Sequence, residues 1–169
     1  MKKVFAGLLF VAMIFFNVVI LKPTAKGIDN SQLTVPDVTF YYDGETIYND
    51  FFLKLDPGLI PTYKKMMLWD YPYPIIYTAF LLLMGQILFR KNLFSKIFFI
   101  AVFSAFAFDI AENLIQFYLI NQLPGVHYNL ATMMGIFTSF KWITVLFSLI
   151  SVLVGLTREG IYKISAVKQ

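Results

Sequence analysis

SAFAFDIAENLIQFYL, residues 104–119, sets an aspartate, a glutamate, an asparagine and a glutamine inside an otherwise apolar run. Asp109, Glu112, Asn113 and Gln116 are spaced i, i+3, i+4 and i+7, which puts all four on one face of a helix. The apolar run around them extends from Ile97 to Ile120. A hydrocarbon core of about 30 Å needs about 20 residues at about 1.5 Å rise, so this stretch is long enough to cross a membrane. Val4 to Leu21, Tyr71 to Phe89 and Leu130 to Leu156 meet the same requirement. Composition agrees: 59% of the 169 residues are hydrophobic and 14% charged, against about 45–50% and about 25% in soluble domains.

The expected fold is therefore all-α, an integral membrane four-helix bundle forming one domain over residues 1–169. Its spans are 4–21, 71–89, 97–120 and 130–156, and a long loop, 22–70, joins the first two. Lys2 and Lys3, then Arg90, Lys91 and Lys96, then Arg158, Lys163 and Lys168 flank the spans on one side. By the positive-inside rule both termini lie in the cytoplasm of a multi-pass protein of the cell membrane. The loop Asn121–Asn129 has no Lys or Arg, and loop 22–70 carries more acids than lysines, as outer loops should. The first span runs unbroken to Leu21, longer than the apolar core of a signal peptide, and reads as an uncleaved anchor.

Loop 22–70 opens on turn formers, Gly27, Asp29, Asn30, Ser31, Pro36 and Asp37. It then takes on helical spacing from Glu45 through Tyr48, Phe51, Phe52 and Leu55, stopped by Asp56-Pro57-Gly58. A second amphipathic piece runs from Leu59 to Trp69. These predict a small extracytoplasmic helical cap of two short helices lying on the outer membrane surface. Trp69, Tyr71 and Tyr73 would anchor the second span in the interface, with Pro72 and Pro74 in its first turn.

The fourth span carries Lys141, with Thr138, Thr144, Ser148 and Ser151 forming a hydroxyl stripe. Counted from the outer loop, Asp109 lies about 18 Å deep, Glu112 about 13 Å and Lys141 about 16 Å. An isolated charge at mid-bilayer costs at least about 2.5–3.5 kcal/mol, so Lys141 is expected to pair with Asp109, Glu112 or both. One ammonium cannot neutralise two ionised carboxylates. Either one carboxyl is protonated or the site retains negative charge and attracts a cation or a donor-rich head group. Asn113, Gln116 and Thr138 complete the candidate ligand-binding cluster. Asp70 stands at the membrane edge, as an entrance residue or as an ordinary helix N-cap. Asn17 and Gln86 read as interfacial or packing residues, His127 as solvated, and Gly135 and Ser139 as a small-xxx-small helix-packing pair.

Several function classes are excluded or disfavoured. Zero cysteines remove disulfides and thiol chemistry, and a single histidine argues against a zinc or haem site, so no metal and no cofactor is expected. The net charge of +4 is distributed as a topology signal, which argues against a nucleic-acid partner. No GxSxG, phosphate loop or HExxH is present.

In the order and spacing of its short motifs the chain resembles a family of small four-span bacterial membrane proteins of unassigned function. The motifs are Pro36-Asp37 followed by aromatics, Asp70 before a proline-started second span with Pro74 and Tyr77, Asp109-x-x-Glu112-Asn113, and Thr138-x-x-Lys141-Trp142. The resemblance spans Val35 to Leu156. It implies a bacterial inner-membrane protein in which these Asp, Glu, Asn and Lys residues belong together, and it implies no activity.

Three functions fit these residues. The leading one is a buried polar pocket for a lipid head group, a small polar ligand, a cation or a proton, with membrane lipids as partners. The second is a membrane-embedded acid–base enzyme of isomerase type, disfavoured by the lack of a nucleophile or metal cluster. The third is a structural or accessory subunit whose ion pair only fixes helix packing.

Overall fold

The computed structural model of the chain describes residues 1–23, 28, 33 and 35–167, the side chains of 162–167 excepted. The turn formers Gly27, Asp29, Asn30 and Ser31 and the terminal Lys168 fall outside the described residues. Within them the chain is all-helical, without strands. Among the described residues six α-helices occur in order: α1 (Lys2–Phe15), continued by a π-helical turn Phe16–Leu21; α2 (Gly44–Ile47), continued likewise by Tyr48–Phe52; α3 (Ile60–Asp70); α4 (Pro72–Leu88); α5 (Leu93–Gln122); and α6 (Tyr128–Val167), with 3-10 turns at Pro36–Val38 and Pro57–Leu59. Four helical stretches are long and apolar enough to cross a membrane: Lys2–Leu21, Pro57–Leu88, Leu93–Gln122 and Tyr128–Ile161. The last two exceed the apolar runs 97–120 and 130–156, because a helix continues until its backbone is stopped and not until its hydrophobicity ends. Asn92 starts α5 by accepting a hydrogen bond from Ser95 N at 2.9 Å. Leu123-Pro124-Gly125 follows its last residue, Gln122.

Buried positions on α5 fall at Phe98, Val102, Ala105, Asp109, Glu112, Gln116 and Leu119. On α6 they fall at Ala131, Met134, Thr138, Lys141, Ser148 and Val152. Alternating steps of three and four (Lys141 to Ser148 being two such steps) mark a heptad seam, so the two antiparallel helices interlock along their length. The polar cluster sits at the middle of that seam. Helix α1 packs mainly on α4 and turns Val4, Phe5, Leu8, Val11, Phe15 and Val18 outward, all exposed. A continuous exposed apolar surface of this kind suits lipid and not water. Both termini lie at one end of the bundle, where Lys3 pairs with Glu159 at 3.7 Å and Lys2 donates to Gln86 Oε1 at 3.2 Å.

The second long helix is interrupted where its sequence requires it. Pro74 has no N–H for the carbonyl of Asp70, and Pro72 none for that of Leu68, so α3 and α4 meet at Tyr71 as a jointed pair. Preceding them, Asp43 Oδ1 caps α2 by accepting from Thr46 N at 2.8 Å, which also holds its carboxyl below the usual range. Asp56 Oδ1 closes the turn before α3 by accepting from Gly58 N at 2.7 Å. The amphipathic residues of 45–55 are not spread over a surface. Tyr48, Phe51, Phe52 and Leu55 are buried with Tyr63 and Met67 against Leu119, Ile120, Ala131 and Met134, closing the loop end of the α5–α6 pair. Each such side chain contributes about 1.5–3 kcal/mol by leaving water.

Candidate functional site

The segment before α2 decides the geometry of the site. Between a 3-10 turn at Pro36–Val38 and the start of α2 at Gly44, residues 39–43 run non-helical along α6, antiparallel to it. Gly44 N donates to Thr132 Oγ1 at 2.8 Å, Ser139 Oγ donates to Phe40 O at 2.9 Å, and Trp142 Nε1 donates to Asp37 O at 3.2 Å. Residues 39–43 cover about 16 Å at about 3.3 Å per extended residue. Thr132 to Lys141, the α6 partners of its two ends, rises about 14 Å on the helix. The lengths match, so the segment carries Asp37 down beside Lys141. Non-helical backbone packed against a helix requires hydrogen-bond partners, and side chains of α6 supply them. Val38, Phe40 and Tyr41 face outward from the segment.

Gly135 and Ser139 are thus a docking strip for a chain segment and not a helix–helix contact. A Cβ on Gly135 would stand 2.0 Å from the carbonyl oxygen of Tyr42, so only glycine permits the approach. The hydroxyl stripe divides in two. Thr144, Ser148 and Ser151 bond to carbonyls of their own helix, at 2.8, 2.7 and 2.8 Å respectively. Thr138 donates its proton to Met134 O at 3.0 Å, so the 3.0 Å contact with Tyr42 is donated by the tyrosine. Burial and the nearby Glu112 carboxylate raise Tyr42 above its ordinary pKa, which keeps it a donor.

Lys141 Nζ faces three carboxylates: Glu112 Oε2 at 2.7 Å, Asp109 Oδ1 at 3.8 Å, and Asp37 Oδ1 in direct contact. The ammonium also lies 5.7 Å from the Trp142 ring centroid, within cation–π reach. Tyr77 donates to Asp109 Oδ2 at 2.9 Å. Asn113 Nδ2 bridges Asp70 Oδ2 at 3.1 Å and Asp109 Oδ1 at 3.4 Å. Gln116 donates to the Tyr63 hydroxyl. Glu112 Oε1 is buried without a hydrogen bond. Asp70 does not cap α4, whose N-terminus has no side-chain cap; its carboxylate turns to Asn113 instead.

All six cluster residues named from the sequence are buried, and four of them converge on Lys141: Asp109 and Glu112 directly, Asn113 through Asp109 and Thr138 through Glu112; Gln116 instead turns toward Tyr63. Asp37, Tyr42, Tyr63 and Tyr77 join them from other elements, and Trp142 from α6 beside Lys141. Asp37, Asp109 and Glu112 each offer an oxygen within 4.8 Å of the others, a spacing that would suit a cation. Lys141 Nζ already contacts all three, so the ammonium occupies the place such an ion would take. Among the described residues the cluster sets four carboxyl groups, with Asp70, against one ammonium.

A cavity of about 180 Å³ opens beside this cluster. Asp37, Asp70, Asp109 and Lys141 line its loop end, and Met13, Leu81, Val145 and Leu149 line its other end. Asn17 and Gln86 lie elsewhere, donating to Tyr73 at 3.4 Å and accepting from Lys2 respectively. His127 has an exposed side chain. No protein-family model, curated protein or solved structure matches this chain.

Proposed function

We propose that the chain is an integral membrane protein, with both termini cytoplasmic and the α2–α3 cap outside, that binds the cationic head of an amphiphile beside Lys141. The observation that carries this reading is the division of the cavity lining. Three acids and one lysine leave negative charge at the loop end, while the walls below are apolar. Lys141 to Leu149 descends about 12 Å along α6, enough for a short alkyl chain. At about 30 Å³ per water, 180 Å³ holds roughly six waters or a small head group. Because α1 packs mainly on α4, the space between α1 and α6 offers a lateral entry bordered by Met13 and Leu149. Asp70 and Asp109 accept from an ammonium here, and Asn113 fixes the spacing between them.

Purified protein in a neutral detergent tests this with dodecylamine against dodecanol. The amine is expected to raise the unfolding temperature and the alcohol not to, and Asp70→Asn combined with Asp109→Asn should abolish the difference. Equal responses to the two compounds, or an undiminished response in the double variant, would refute it.

A second reading has its own observation. Lys141 is already engaged by three carboxylates, one of them brought in by the docked segment, so the cluster is also a clasp that fixes residues 36–44 to α6. If that is its whole role, the amine gives no stabilisation while Lys141→Met still unfolds the segment.

A further inference from the structure

A larger cavity lies at the opposite end, where both termini emerge, and it shares no residue with the Lys141 cavity. It measures about 860 Å³ and lies between the α4–α5 turn and α6. Leu88, Phe89, Phe94 and Val154 form its apolar wall, and Arg90 and Arg158 stand at its rim. Glu159 is the one acid in the lining, and its carboxylate is paired with Lys3 at 3.7 Å. Among the described residues neither arginine has a carboxylate partner, so the cavity presents two exposed guanidinium groups above an apolar floor. Arg158 is oriented by donating to Leu88 O at 3.3 Å, which leaves the rest of its planar fork free. The N-terminus of α5 opens on the same cavity at Asn92 and adds its positive end to the field.

We infer that this groove is a binding site for an anionic phospholipid of the leaflet that faces the termini. The guanidinium groups take the phosphate, by the paired N–H···O geometry that arginine offers phosphate, and the acyl chain lies along Phe94 and Val154. Basic pockets between membrane helices on this side are suited to anionic head groups, each basic residue contributing about 1 kcal/mol, or about fivefold in affinity. A zwitterionic head group brings its own cation to the arginines and forfeits that gain. The site does not rest on the cavity proposed above.

The test uses the full chain in nanodiscs or detergent, with phosphatidylglycerol and phosphatidylcholine of matched acyl chains as probes, read by native mass spectrometry and by the unfolding temperature. Phosphatidylglycerol is expected to bind at least tenfold more tightly. Arg90→Gln should weaken it about fivefold and Arg90→Gln with Arg158→Gln about 25-fold, with phosphatidylcholine unchanged. Lys65→Gln removes the same charge at the far end and should leave phosphatidylglycerol binding intact. Arg158→Lys guards against misfolding: it keeps the charge, and should retain most of the preference. Equal binding of the two lipids would overturn the inference, as would an equal loss from Lys65→Gln. Competition by free glycerol phosphate at the same concentration would assign the site to a soluble phosphate and overturn it too.

Discussion

Gly135→Ala tests whether residues 38–44 lie on α6, because the two possible answers predict opposite signs. In a helix whose Gly135 faced nothing, alanine would stabilise by up to about 1 kcal/mol through propensity alone. In the observed packing the new Cβ stands 2.0 Å from Tyr42 O, and ordinary contact begins at 3.4 Å, so the segment must retreat by 1.4 Å. That retreat breaks the 2.9 Å bond from Ser139 to Phe40 O and the 3.0 Å bond from Tyr42 to Thr138. Two hydrogen bonds at about 0.5–1.5 kcal/mol each and an overpacking penalty of about 1–3 kcal/mol, less the propensity gain, leave a net loss of about 1–5 kcal/mol. At about 2–4 °C per kcal/mol for a chain of this size, thermal unfolding in detergent resolves it. Trp142 gives a second readout, since its indole bonds to Asp37 O and its emission should shift red when the segment lifts. Gly7→Ala and Gly160→Ala are the controls, because a Cβ at either meets nothing within 4 Å. If Gly135→Ala tracks these controls and leaves Trp142 emission unchanged, the segment is not docked and Asp37 does not belong to the site.

Lys141→Met strands three carboxylates and is expected to lose about 3–5 kcal/mol. Adding Asp37→Asn, Asp109→Asn and Glu112→Gln should recover most of it in the same melt, and no recovery would disprove the pairing. Tyr77→Phe removes the donor to Asp109 and should cost about 1.5–3 kcal/mol by denaturant or thermal unfolding. Ser148→Ala, whose hydroxyl serves only its own helix, should stay within about 0.5 kcal/mol; a comparable loss at both positions would mean that the Asp109 bond is not special. Because the chain has no cysteine, single replacements report topology. Lys54→Cys should react with an impermeant maleimide on intact cells and Lys91→Cys only after permeabilisation, and the reverse pattern would invert the orientation.

The helices were legible because each carries its own stop signals and its own periodicity. The seam on α5 is readable from the spacing of Asp109, Glu112 and Gln116, and depth counting alone brought Lys141 level with them. What could not be read was any position fixed by a partner without periodicity. Residues 38–44 have no helical or alternating pattern, so nothing local announced that they descend along α6. Gly135 and Ser139 announced a close approach but not what approaches, since a helix and an extended chain both require small residues there. Charge and spacing made Asp37 one acid among several in a loop, and only its place in the Pro36-Asp37 motif set it apart. Tyr77 looked apolar in a span rich in aromatic residues, and its hydroxyl acquires meaning only opposite Asp109. Asp70 shows the converse: a residue before a proline-started helix suggests a cap, yet the break at Pro72 and Pro74 turns that carboxylate toward Asn113.

The docked segment also changes the electrostatic problem that the α5–α6 pair presents. Lys141 and Glu112, 2.7 Å apart, make a neutral pair within the seam, and Asp109 is held by Tyr77 and Asn113. Docking then adds Asp37, its side chain about one-third exposed (33%), to an ammonium that already has a partner, so it delivers negative charge beside a buried pair at some desolvation cost. Packing residues alone would achieve the same closure without that penalty, since Tyr42, Phe51 and Phe52 already seal the loop end. The acid is offset only in part by Lys141, and the remainder faces the 180 Å³ cavity together with Asp70. A segment that is only clasped to α6 would hold Lys141 by the aspartate at its deepest point and lift in its absence. One that completes a site for a cationic head group requires it, and this is why Asp37→Asn should leave the docked segment in place, with Trp142 emission unchanged, while removing the preference for dodecylamine over dodecanol.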